Sequence, residues 1–196
     1  MKRRRDNSLG EGVYYRDDAY AGLVRRLLVI AIDSLFLFVI GEVLWIALLY
    51  FAWDIKSGDF RWDPSGVFWL TWLVVAWFYL SVLKPSKWRT VGYRLTGLKI
   101  VGVRGQRPSI VRMTFRMLLW LFGPFNLLLD LMWLGPDSEH QSLRDCYAGT
   151  YVVRCDAEPV GKAQVHLAYY NAFGFSLMYP RVVRPKPLVD AMNANV

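Results

Sequence analysis

Apolar residues gather into three blocks along this chain, Leu27–Trp53, Gly66–Leu83 and Phe115–Leu134. About 20 apolar residues are needed to cross a ~30 Å hydrocarbon core. The first block exceeds that length and predicts a helix from about Leu23 to Trp53, with Trp45, Tyr50, Phe51 and Trp53 as an outer aromatic belt. The second is at the short limit. Asp63 is placed to cap it and Pro64 to take its first helical position, and its aromatic residues read as lipid-facing or packing groups. The third reaches spanning length only when counted through Gly123-Pro124, where proline kinks or breaks a helix. Its halves, Ile110–Phe122 and Phe125–Leu134, suit a re-entrant shape, with Ser109 as the cap at its start.

Between and after the blocks the pattern changes. Leu98–Val103 and Gly149–Arg154 are rich in β-branched residues and punctuated by glycine, and predict two strands able to pair as a small sheet. Residues 1–22 read as a flexible cytoplasmic tail, and the segment from Asp156 onward as a tail with no assigned role. The expected fold is an α-helical integral membrane protein. It has two full spanning helices, a third kinked or re-entrant helical block and a small cytoplasmic β element. The expected organisation is a basic tail over 1–18, a transmembrane domain over 19–155 and a C-terminal tail over 156–196.

Charge placement supplies the topology. The 196 residues carry a formal charge of +8. Lys and Arg number seven in residues 1–26, two in 54–65, nine in 84–116 and six after 134. The first three counts alternate high, low, high, as the positive-inside rule expects for a cytoplasmic N-terminus and an outside 54–65 loop. Three crossings would put residues 135–196 outside with six basic residues and a strand. A re-entrant third block returns them inside, and that is the reading adopted. No soluble basic face is offered to nucleic acid. Met1-Lys-Arg-Arg-Arg5 resembles the start of a signal peptide, but the polar stretch Asp6–Asp18 follows it, so the first helix is expected to remain in the mature protein. Cys146 and Cys155 lack the partners of a zinc site, and no cofactor is expected. No nucleophile–base set or phosphate loop appears, so the chain is not expected to be an enzyme.

Polar residues inside the apolar blocks are the candidate chemistry. Asp33 lies within the first block, where a carboxylate costs roughly 2.5–3.5 kcal/mol at a helix centre. Arg26 is seven positions earlier on the same face but too far along the helix for direct contact. Asp33 is therefore expected to pair with Arg112, Arg116 or Arg94, or to hold a proton. Its role is either a structural ion pair or proton and cation exchange. Asn126 and Asp130 sit at i, i+4 beyond Pro124, as either a cation site or a kink whose polar groups satisfy each other. Asp145 reads as a turn or helix cap on the cytoplasmic surface.

Three segments together resemble the RDD family of bacterial membrane proteins. Tyr20-Ala-Gly-Leu-Val-Arg-Arg-Leu…Ile32-Asp33 looks like its opening, with Arg26 as the better match to its arginine and Arg25 as a substitute. Arg89-Thr-Val-Gly-Tyr-Arg-Leu-Thr-Gly resembles the segment after the second helix. Gln141-Ser-Leu-Arg-Asp145-Cys-Tyr-Ala-Gly-Thr resembles the closing motif and makes Asp145 the second aspartate. Arg144 stands where the family usually has histidine, and Tyr93 where it usually has lysine. The resemblance implies a membrane fold and, through the cation/proton antiport attributed to some members, transport. Two readings of function follow. One is movement of a monovalent cation or proton by a homo-oligomer, with Arg26, Asp33, Asp145, Asn126 and Asp130 as the polar site. The other is a scaffold or assembly partner for another membrane protein.

Overall fold

The computed structural model describes residues 8–54, 57–119, 141–172 and 175–184. Its longest element, helix α1 (Leu23–Ala52), buries Arg26, Val29, Asp33, Leu37 and Gly41. Spacings of three and four trace one stripe along the helix. The other faces expose apolar residues such as Leu28, Leu35, Phe38, Val43 and Ile46. A soluble core helix hides such side chains; α1 turns most of its surface outward, and it is long and apolar enough to cross a membrane.

Helix α2 (Ser65–Trp77) starts as the sequence predicts. The Asp63 carboxylate accepts the Ser65 N–H at 2.9 Å, and Pro64 already has helical dihedrals. A short hairpin of β2 (Trp53–Asp54) and β3 (Asp59–Phe60) joins it to α1. The two helices close on each other where Gly41 meets Trp72: a Cβ at Gly41 would lie 2.8 Å from the indole nitrogen. Beyond Trp77 the helix widens into a π turn over Phe78–Leu83, and the Lys84 N–H reaches back to the Tyr79 carbonyl. Together Ser65–Leu83 form a second helix of membrane-crossing length. The turn leaves Tyr79 and Ser81 buried. Of the lipid-facing or packing roles expected for these aromatics, Tyr79 takes the second, stacked on Phe36 at 5.1 Å between ring centroids.

The rest of the described chain builds a β module against one end of these helices. Helix α3 (Val91–Leu95) leads into β4 (Leu98–Gly102), then α4 (Ile110–Leu118), α5 (Leu143–Ala148) and β5 (Thr150–Arg154). The expected strand pair forms: β4 and β5 run antiparallel, with Leu98 opposite Arg154 and Gly102 opposite Thr150. Strand alternation then divides the core in two. Tyr151 and Val153 pack with Tyr15, Tyr20 and Val101, while Val152 packs with Val29, Tyr93 and Met113 on the helical side. The ladder joins both clusters.

Two expectations change here. The N-terminal segment is not a loose tail from residue 8 onward. Glu11–Tyr14 forms strand β1, and Tyr15, Ala19 and Tyr20 enter the core. Nor is the C-terminal segment featureless, since β6 (Gly161–Ala172) and β7 (Phe175–Val182) form a hairpin. The order β1-β6-β7 makes one antiparallel sheet, with Glu11 opposite Gln164. Pro180 is tolerated because β7 is an edge strand. The partners of β1 lie some 150 residues away, so no local pattern announces it.

Helix α4 begins at Ile110 as expected, with the Ser109 hydroxyl accepting the Arg112 N–H at 3.3 Å. The helix exposes the apolar Val111, Phe115 and Leu118 and buries Arg116 together with Met113. Asn126, Asp130 and the turn at Gly123-Pro124 lie outside the described residues.

Candidate functional site

Two buried carboxylates organise the region where the helices meet the β module. Asp145 is fully buried. Its Oδ2 accepts from Arg26 Nη1, and its Oδ1 accepts from Arg116 Nε at 2.8 Å and Nη2 at 2.6 Å. The Thr150 hydroxyl donates to Oδ1 at 3.3 Å. Asp145 also completes a capping box with Ser142, each side chain bonding the other's backbone N–H. Gly149, in the left-handed region at φ 57°, ends this helix and turns the chain into β5. One carboxylate thereby links α1, α4, α5 and the start of β5. Burial pushes the Asp145 carboxyl up, but the charges of Arg116 and Arg26 outweigh it and hold the group below the usual carboxylate range. The cap foreseen from sequence is present, but the surface position is not. What buries Asp145 is the pair of arginines arriving from two other helices.

Asp33 is solved differently. It is 4% exposed and ten residues into α1, about 15 Å along the helix axis. The Tyr79 hydroxyl donates to Oδ1 at 2.9 Å and the Gly92 N–H at 2.8 Å; the Thr90 hydroxyl donates to Oδ2 at 2.9 Å. Tyr79 in turn accepts the Val91 N–H at 2.9 Å. Local conformation makes this possible. Arg89 takes a left-handed φ of 53°, after which α3 starts with the Val91 N–H on the Tyr79 hydroxyl and the Gly92 N–H on Asp33. Gly92 must be bare, because a Cβ there would lie 2.8 Å from both Asp33 Oδ1 and the Val29 carbonyl.

Not one of the three arginines expected for Asp33 serves it. Arg116 is committed to Asp145, and Arg94 and Arg112 are exposed. The reason is geometric: the turn after α2 supplies enough neutral donors to satisfy the carboxylate without a counter-charge. Arg26, not Arg25, faces inward, as the buried stripe requires. Arg26 and Asp33 share that stripe but bond separate partners. Thr90, Gly92 and Thr150 carry no individual role in the sequence reading, and Tyr79 only that of a lipid-facing or packing aromatic. Asp145 itself is read from sequence as a turn or helix cap, and Ser142, its partner in the capping box, carries no role in that reading.

Beside Asp33 lies a cavity of about 190 Å³, lined by Asp33, Lys84, Arg116 and Arg144 together with apolar residues such as Ile30, Leu80 and Met117. Among the described residues no cluster of His, Cys, Asp or Glu is set to hold a metal ion.

Comparison with known proteins gives one result. The model of the RDD family matches residues 20–149, a stretch that contains Arg26, Asp33 and Asp145. No curated protein and no solved structure matches the chain.

Proposed function

Since the chain belongs to the RDD family, we propose that it acts as a membrane scaffold, holding its β module on the cytoplasmic face of the inner membrane for another membrane protein. The observation that carries this reading is that both buried carboxylates are spent on bonds between elements. Asp145 ties α1, α4 and α5 together, and Asp33 ties α1 to the end of α2 and the start of α3. Such bonds fix one arrangement of helices and strands. The exposed apolar faces of α1 and α2 are then free for lipid and for a partner's helices.

Orientation follows from charge and pairing. The basic segments 1–26 and 84–116 belong on the cytoplasmic side. Strand β1 pairs with β6, and Tyr20 bridges to Val153, so the chain after Gln141 shares the side of the N-terminus. That supports an even number of crossings between Tyr20 and Gln141.

A second reading, transport of a monovalent cation or proton by a homo-oligomer, draws on Asp33 lining the cavity. The three cationic residues around that cavity repel a cation, which ranks this reading second. Cation-dependent proton flux in proteoliposomes decides between them. On the scaffold reading the wild type carries no flux with sodium, potassium or lithium, and cross-linking in cells captures one stoichiometric membrane protein. Flux that vanishes in folded Asp33→Asn protein makes transport the function instead.

A further inference from the structure

The cavity beside Asp33 has the wrong charge for a cation and a fitting one for an anion. Three cationic residues, Lys84, Arg116 and Arg144, line it against the single carboxylate of Asp33, and Asp33 already accepts three hydrogen bonds. Arg116 gives its guanidinium to Asp145. Lys84 is different. It is a half-buried residue whose ammonium lies 4.9 Å over the ring of Tyr93, and no ion pair or side-chain hydrogen bond joins it to another described residue. A cation held in that way lacks the partner that buried charges require.

Shape and position add to charge. Lys84 directly follows the membrane-crossing segment Ser65–Leu83, at the end of the helix that meets the basic module. Below it the wall is apolar, formed by Ile30, Leu37, Leu80, Met113 and Met117. A volume of about 190 Å³ has room for a phosphate group with water around it, at ~30 Å³ per water. We propose that this cavity binds a phosphate ester, with Lys84 and Arg144 as its charged contacts and the apolar wall receiving whatever the phosphate is attached to. The proposal stands apart from the scaffold and transport readings, since it concerns the cavity rather than the partner or the flux.

Two sources share this chemistry, an anionic phospholipid headgroup and a small soluble phosphate. The full-length protein, purified in a neutral detergent, is titrated with phosphatidylglycerol, phosphatidylcholine or inorganic phosphate. Thermal unfolding and native mass spectrometry report binding. One phosphatidylglycerol retained per chain, with a rise in Tm that phosphatidylcholine does not give, identifies the lipid. A rise in Tm with inorganic phosphate identifies the soluble source.

In either case Lys84→Gln weakens binding about tenfold or more, the effect of one lost charge-assisted hydrogen bond. Lys84→Arg retains most of it. Ser34 also lines the cavity, and Ser34→Leu, which narrows it without removing a charge, weakens binding as well, whereas the exposed Lys162→Gln leaves it unchanged. Equal behaviour of the two lipids with no response to phosphate overturns the proposal. So does undiminished binding by a folded Lys84→Gln protein.

Discussion

Asp145 and Asp33 are both buried carboxylates, and the molecule answers them in opposite ways. Around Asp145 it brings two guanidinium groups from helices that are distant in sequence. Around Asp33 it brings two hydroxyls and one backbone N–H, with no cation in ion-pair range among the described residues. The first centre joins elements through charge, and its members cannot be removed singly without stranding the others. The second joins them through neutral donors, two of which are hydroxyls able to rotate and accept instead. The two centres should therefore differ in what each costs to break, although both carboxylates are almost equally buried.

The largest effect is expected at the charged centre. Asp145→Asn takes from Arg26 and Arg116 the carboxylate they share and breaks a buried ion pair on each side, which costs about 3–5 kcal/mol. Folded yield in membranes and Tm in detergent should both collapse; a Tm close to wild type would remove the ion triad from the stability of the fold. The same centre sets a pH signature. Because the folded Asp145 carboxyl lies below its unfolded value, near 3.9 in model peptides, its contribution is complete above about pH 4 and is lost as pH falls further. Wild-type stability should show that acid limb. If a partly folded Asp145→Asn protein shows the same limb, another group is responsible.

Next in size is Gly92→Ala. The added methyl meets Asp33 Oδ1 and the Val29 carbonyl, both at 2.8 Å. Separating α3 from α1 then costs about 1–3 kcal/mol, the usual scale of overpacking. Urea or thermal unfolding measures it, and a neutral result would mean that the turn moves away freely. Tyr79→Phe comes below it, at about 1–2 kcal/mol, because both the Val91 N–H and one Asp33 lone pair lose a partner. Hydrogen exchange at Val91 should speed up in that variant; unchanged protection would show that the hydroxyl is dispensable.

How far the sequence foretells these centres depends on distance along the chain. The two membrane-length helices, the β4–β5 pair and the Ser109 cap follow from local patterns of apolar, β-branched and capping residues. The strand Glu11–Tyr14 does not, because four half-polar residues become a strand only through Gly161–Gln164. The C-terminal hairpin was hidden by Pro180, which argues against a strand unless the strand is known to be an edge. Arg26, Asp33 and Asp145 stand out in the sequence, but their partners do not. A hydroxyl such as Thr90, or a glycine valued for its N–H, carries no signature until the π turn and α3 bring it to Asp33.

The smallest effect, and the sharpest test of the contrast, belongs to Asp33→Asn. Asparagine keeps one oxygen to accept from Tyr79 and Gly92, and its amide can donate to a Thr90 hydroxyl turned to accept. With no cation left unpaired, the expected cost is about 1 kcal/mol, roughly one neutral hydrogen bond. The protein should fold, insert and melt a few degrees lower. If Asp33→Asn is instead as damaging as Asp145→Asn, then Asp33 answers a charge after all, and the pairing of one charged centre with one neutral centre fails. A mild loss would mean that the negative charge of Asp33 is not required for folding. Its place inside an apolar segment would then call for a reason beyond the fold, and the proton-flux assay is the place to look for it.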